Sequence, residues 1–322
     1  MKLPVLLPIL FCSVLLLPPY AATSAAMSAK DLLAAGRVDE AIDAIEQQIR
    51  HSPVDAESYN LLCRAYYMTE DWDRGITACE KALSLDPQNS AYHLWLARIY
   101  GEKASRAGFV SAAGLAKKVR LSFERAVELD PKNWEARSDL AEFYIEAPAM
   151  VGGGKDKAHA QADAVMPLNP ALAYWILARI DQKEKDAAGA ERDYRVAIET
   201  SHGTAQAWLH LAQFLARANR VDEMEQALHT MESSPLDRSD SLMDGASLLL
   251  RTARDYPFAV RLIRRYLSAP VEEGPAFKAH DLLGHLLEKQ GDKHAAAEEY
   301  RAALALSHTY TRAREDLKRV EH

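Results

Sequence analysis

The chain lacks any block of lysine or arginine, and its 322 residues carry a formal net charge of −7. Without a basic stripe to neutralise phosphates, nucleic acid is excluded as a partner, and so is a bilayer surface. Long apolar runs are missing after the N terminus, so no later segment can span a membrane. Glycine and proline are modest at 14 each, and there are only three cysteines. The signatures of catalysis are missing too. There is no Gly-x-Ser-x-Gly elbow, no Ser-x-x-Lys, and no Gly-x-Gly-x-x-Gly after a strand. The eleven histidines are scattered. None stands in the spacing that zinc peptidases need, and His280 and His285 fall on different faces of one helix. Nothing converges on a catalytic, cofactor or metal site, and the expectation is a protein that is not an enzyme.

What is present begins with a targeting pattern. Lys2 supplies a positive end, Leu3–Leu17 is apolar, and a small-residue tract follows from Ala21 to Ala26. This is the order of a secretory signal, read as residues 1–26 with cleavage between 22 and 26. The apolar stretch is shorter than a bilayer span and is interrupted by Pro4 and Pro8, which argues against an uncleaved anchor. Cys12 invites a lipoprotein reading, but the bulky Phe11 stands where such signals resemble one another in a small residue. The processed chain, 27–322, is expected to make no stable membrane insertion and to be periplasmic in a Gram-negative bacterium.

Internal periodicity decides the fold. Pro53 and Pro87 are 34 residues apart in matching contexts. Before Pro87 runs Glu80-Lys81-Ala82-Leu83-Ser84-Leu85-Asp86, and before Pro131 runs Phe123-Glu124-Arg125-Ala126-Val127-Glu128-Leu129-Asp130. These stretches resemble the tetratricopeptide repeat, a pair of helices with small residues at fixed contact positions and a closing proline. The resemblance implies an all-α, right-handed superhelical solenoid of about eight helix pairs. The repeats fall near 22–55, 56–89, 90–133, 134–170, 171–204 and 205–238, with a degenerate pair near 239–271 and a clear repeat near 276–309. A polar helix over 311–322 caps the stack. Small residues recur where two helices would touch (Ala41, Ala82, Ala97, Ala126, Ala141, Ala158, Ala178, Ala190, Ala197, Ala212, Ala296), with larger ones such as Tyr66, Tyr100, Tyr144, Tyr194 and Tyr300 between them. Large against small at helical spacing lets helices approach without voids.

Two repeats exceed the period. Pro87 to Pro131 is 44 residues and Pro131 to Pro170 is 39. The excess is expected between the paired helices, as enlarged turns around 102–114 and 147–154. Both turns would emerge on one edge, carrying Phe109, Met150, Val151 and Gly152-Gly153-Gly154. Either they bury these residues against each other or they form a partner surface. Gly152–Lys155 is not a phosphate loop, because Ala149 replaces its first glycine and Asp156 its Ser/Thr. Gly114-Leu-Ala-Lys-Lys118 and Val151–Ala158 resemble an uncharacterised subgroup of exported bacterial tetratricopeptide proteins, which implies no activity.

Cys63 and Cys79 hold repeat indices that face each other in an antiparallel hairpin. They form a disulfide or stand as two small buried thiols. In tetratricopeptide arrays the first helices line the concave face at indices 2, 5, 9 and 12. The resemblance therefore assigns a partner-binding groove to Arg64, Tyr67, Leu94, Arg98, Glu142, Trp175, Arg179 and Gln213. Either its arginines form a partly basic inner stripe or they pair with acidic neighbours. The family's carboxylate clamp is absent, since Lys is missing at index 5 and Arg64 or Arg98 replaces Asn at index 9. The resulting expectation is an extracytoplasmic scaffold that holds an extended or acidic peptide segment of a protein partner in its groove. The alternative is an accessory subunit of an envelope enzyme or transporter, docking through the enlarged turns.

Overall fold

A computed structural model describes residues 27–271 and 275–322. The targeting segment 1–26, its cleavage position and Cys12 lie outside the described residues. Among those described, the chain forms seventeen α-helices, one 3-10 turn and no strand. Sixteen of the helices pair into eight successive hairpins. They are α1 (Ala29–Ala34) with α2 (Val38–His51), α3 (Ala56–Met68) with α4 (Trp72–Leu85), and α5 (Ser90–Ser105) with α6 (Phe109–Leu129). Next come α7 (Trp134–Glu146) with α8 (Lys155–Val165), α9 (Pro170–Glu184) with α10 (Ala187–Thr200), and α11 (Ala205–Arg217) with α12 (Val221–Ser233). The last pairs are α13 (Asp240–Thr252) with α14 (Tyr256–Leu267) and α15 (Ala276–Lys289) with α16 (Lys293–Leu306), and α17 (Thr311–Glu321) closes the stack. No described helix is long and apolar enough to cross a membrane.

Short polar residues start these helices. The side chains of Asp55, Asn89, Asn133 and Asn169 accept from the first turns of α3, α5, α7 and α9, and Asp71, Asp186, Asp255 and Asp292 do the same for α4, α10, α14 and α16. Each satisfies an amide that the helix itself leaves without a partner.

The helices approach through alanine. Ten of the eleven contact alanines named above are fully buried, and Ala197 is 3 % exposed. Tyrosines pack between them and tie one hairpin to the next. Tyr66 Oη donates to Glu46 at 3.0 Å, Tyr100 to Glu80 at 2.5 Å and Tyr144 to Glu124 at 2.8 Å. Each joins the first helix of one repeat to the second helix of the preceding one, always 20 residues apart. In repeats five and eight the tyrosine sits on the second helix and bonds within its own hairpin, Tyr194 to Gln182 and Tyr300 to Glu288. Burial pushes the Tyr66 hydroxyl up to about 12, with Glu46 adding to the shift, so it is a donor at any physiological pH.

The first insertion is not a loop. Its residues lengthen the second helix, so that α6 runs for 21 residues and only Arg106–Gly108 separates it from α5. The stretch from Phe109 to Leu115 is Phe-Val-Ser-Ala-Ala-Gly-Leu, in which small helix-compatible residues outnumber the lone glycine, and the helix continues through it. The second insertion does form a turn. Pro148 ends the approach from α7, Ala149–Val151 make the 3-10 turn, and the glycines lead into α8. Gly153 is required there, because a Cβ would collide with the carbonyl of Ala147.

The superhelix also meets itself. The Val271 amide donates to the Ala34 carbonyl at 2.8 Å. Gly36, at φ +72, lies so close to Ala276 that any Cβ would overlap that residue's own. Glu70 bridges Arg106 at 2.8 Å and Lys278 at 2.7 Å, and the His308 amide donates to Asp39 at 2.7 Å. Repeats one and two thus touch repeats seven and eight, and the solenoid closes into a ring.

Candidate functional site

The concave face is a lattice of ion pairs. On α7, Glu135, Asp139, Glu142 and Glu146 follow one another at spacings of four, three and four, which puts all of them on one face. Arg98 reaches them from α5, with Nη2 3.1 Å from Glu135 and Nε 2.7 Å from Asp139. Arg179 reaches them from α9, with Nε 3.0 Å from Glu142 and Nη2 3.2 Å from Glu146, where Lys183 joins at 2.6 Å. The Arg98 and Arg179 side chains are only 12 % and 15 % exposed. Burial lowers the basicity of Arg179, but the carboxylates of Glu142 and Glu146 outweigh it and keep the guanidinium charged. Arg64 and Arg98 also flank the buried Trp95, each 4.9 Å from its ring, and Tyr67 packs edge-on against Trp95 and Trp72. Arg98 and Arg179 thus pair with acidic neighbours. The groove is therefore mixed in charge rather than basic.

Other groove residues divide by exposure. Leu94 is 3 % exposed and belongs to the core. Gln213 is half-buried on α11, and Trp175 is half-buried on α9.

Ring closure turns the concave face into a cavity of about 1050 Å³. Its walls come from opposite sides of the ring: Lys30 and Leu33 of α1 and Arg64 of α3 with Val271 on one side, and α7, α9 and α11 on the other. Two tryptophans, Trp134 and Trp175, supply its aromatic surface. Trp175 lies 5.4 Å from the ring of His210, which contacts Gln206 at 2.7 Å. Enclosure by protein, with the charges of Arg179, Arg238 and Arg217 adding to it, pushes His210 down to about 3, so the imidazole is neutral in this cationic corner. The family's groove indices point to Trp175 but not to Trp134 or His210. Nor does that indexing reveal closure, which brings α1 opposite α9.

At the edge carrying the insertions, Phe109, Val110 and Met150 are 78 %, 84 % and 75 % exposed, while Val151 is half-buried. The second insertion packs against α6, with Arg120 over Gly152. The Gly154 amide donates to the Tyr144 carbonyl at 2.8 Å, which ties the turn to α7. Cys63 and Cys79 are joined in a disulfide between α3 and α4, with Cα atoms 5.2 Å apart and both residues fully buried.

Two groups bring three ligand-type atoms within 4.8 Å of one another: Glu225, His229 and Asp255, and Asp281, His285 and Asp316. Guanidinium groups already stand against both. Arg254 contacts Glu225 at 2.9 Å, Arg312 contacts Asp281 at 3.2 Å, and Arg319 contacts Asp316 at 2.7 Å. The second group is the ionic seat of α17 on α15, completed by His285 Nε2 at 2.9 Å from Asp316.

Models of the tetratricopeptide repeat match residues 27–90 and 277–309. No curated protein matches the chain. Among solved structures, 91 % of the chain aligns with 96 % of a tetratricopeptide repeat protein from Parabacteroides merdae, at 15 % identity and a TM-score of 0.44. A further alignment relates 58 % of the chain to 95 % of a tetratricopeptide protein from Thermus thermophilus, at 18 % identity and a TM-score of 0.48. The chain thus carries tetratricopeptide repeats at residues 27–90 and 277–309, with helices between them paired in the same order.

Proposed function

We propose that this protein–protein interaction scaffold works outside the cytoplasm and holds a flexible segment of a partner protein in its central cavity. The single observation that carries the reading is the cavity itself, walled by the concave faces of repeats one, two, four, five and six. At about 1050 Å³ it matches a small-ligand pocket and is far too small for a folded domain. Trp134 and Trp175 offer aromatic contact area, the usual source of binding energy at an interface. The cavity wall is mixed in charge, with Lys30, Arg64 and Arg238 beside Glu135, Asp139, Glu142 and Asp237, so the occupant need not be acidic; an apolar or aromatic side chain flanked by polar backbone suits the walls better. Export is supported by the N-terminal pattern of the sequence and by the Cys63–Cys79 disulfide, since such bonds persist in oxidising compartments such as the bacterial periplasm.

A second reading has its own observation in Phe109, Val110 and Met150, which expose apolar surface at the edge of repeats three and four. On that reading the protein is an accessory subunit docking through this edge. Retention of a partner from envelope extract separates the two. On the cavity reading, Trp134→Ala with Trp175→Ala abolishes retention and Phe109→Ser with Met150→Ser leaves it intact. The opposite pattern defeats the cavity reading and establishes the edge.

A further inference from the structure

One hydrogen-bond donor in the cavity wall is fixed in place and unused. Ser241, fully buried on α13, donates from Oγ to Gln206 Oε1 on α11 at 2.7 Å. That bond turns the Gln206 amide nitrogen toward His210, one turn further along α11, where it lies 2.7 Å from the imidazole Nε2. An amide nitrogen only donates, so His210 Nε2 accepts and the proton of the neutral ring sits on Nδ1. Among the described residues, no group accepts from Nδ1. Nor is that nitrogen sealed inside the protein, since His210 is half-buried and lines the cavity. Trp175 stands beside it in the same wall, the two rings 5.4 Å apart and tilted by 35°. The surrounding charges do not call for an anion. Arg179 is held by Glu142 and Glu146, and Arg217 reaches Gln182 at 3.3 Å. Arg238 lines the wall together with Asp237. A carboxylate entering here would lose its water to a wall that already carries anions, whereas a neutral carbonyl needs only one donor.

We propose that His210 and Trp175 form a subsite for a neutral peptide carbonyl, with Nδ1–H donating to its oxygen and the adjoining apolar side chain laid against the indole. The inference rests on the cavity reading above and adds what the cavity recognises. A donor of this kind accepts the main chain of any sequence, so selectivity falls to the side chain that fits beside Trp175. Ser241 and Gln206 act through His210, since their bonds hold the ring in the tautomer that points a proton into the cavity.

Two probes test the subsite. N-methyl-2-phenylacetamide joins an aromatic ring to a neutral peptide-type carbonyl, and 2-phenylethanol carries the same ring without the carbonyl. Binding of each is read from Trp175 fluorescence, as the difference from a chain carrying Trp175→Phe. The amide is expected to bind more tightly than the alcohol. His210→Ala weakens the amide about fivefold, the worth of one hydrogen bond, and leaves the alcohol unchanged. His210→Asn, whose side-chain N–H falls near the place of Nδ1, restores most of the loss. Nitrogen NMR of histidine-labelled protein is expected to find the His210 proton on Nδ1, with that resonance shifting as the amide saturates. A proton on Nε2, or an equal loss for both probes in His210→Ala, defeats the subsite and leaves the cavity reading standing. A loss that His210→Asn fails to restore is a packing effect and defeats it too. If neither probe changes Trp175 fluorescence, the cavity takes no aromatic group, and the cavity reading falls together with the subsite.

Discussion

His210 shows how the ring sets the properties of single groups. Its folded pKa of about 3 lies far below the ordinary 6.5, because protein encloses it and three guanidinium groups surround it. The unfolded chain takes up a proton near pH 6.5 that the folded chain refuses. The stability linked to this group is therefore complete above about 6.5 and is lost as pH falls toward 3. His210→Gln is expected to flatten the fall in melting temperature between pH 7 and 5; an unchanged slope would mean the imidazole is readily protonated in place. Tyr100 works at the same scale. Tyr100→Phe removes its bond to Glu80 and should lower unfolding free energy by about 1 kcal/mol, read from urea denaturation. Which residues would make the structure was legible at this scale from alternating size alone, and the contact alanines are where helices touch. Which residues would face the cavity was less legible. Trp134 is at the start of its helix, outside the indices that define a groove, yet it lines the cavity. The pairing of Arg98 and Arg179 was readable in outline, because the four carboxylates of α7 stand at helical spacing on one face.

At the scale of elements, sequence spacing located both insertions but did not reveal their form. An excess of ten residues reads as a loop only if nothing in it favours helix, and Ser111-Ala112-Ala113 with Leu115-Ala116-Lys117-Lys118 favours helix throughout. Pro148 and three consecutive glycines, by contrast, cannot continue α7, and there a turn was legible. The disulfide staples one hairpin. Closing a loop of 16 residues stabilises by about 3 kcal/mol, so Cys63→Ala with Cys79→Ala should lower unfolding free energy by about that amount. Thiol titration of the unreduced, unfolded chain should then find neither cysteine reactive. Capping is the third device at this scale. Asn133→Ala leaves the first turn of α7 without its side-chain acceptor and should cost about 1 kcal/mol, measurable as a shifted urea midpoint.

For the whole molecule, the decisive feature is one that no repeat carries. Stacked repeats ordinarily couple only to their neighbours, so stability sums along the line. Here Glu70 and Lys278 lie 208 residues apart and touch. Closure depends on the accumulated rotation of eight hairpins, including the lengthened third and fourth, and small rotations per repeat leave no mark in a sequence period. That closure joins faces from five repeats into one cavity, and it is why Lys30 and Trp175 belong to a single site. The place to look for the partner is inside the ring. A photoreactive phenylalanine analogue at position 175, compared with one at position 109, reports where the partner lies in living cells. Crosslinking at 175 and not at 109 is the expected outcome, and crosslinking at 109 alone would contradict a scaffold that works through its cavity.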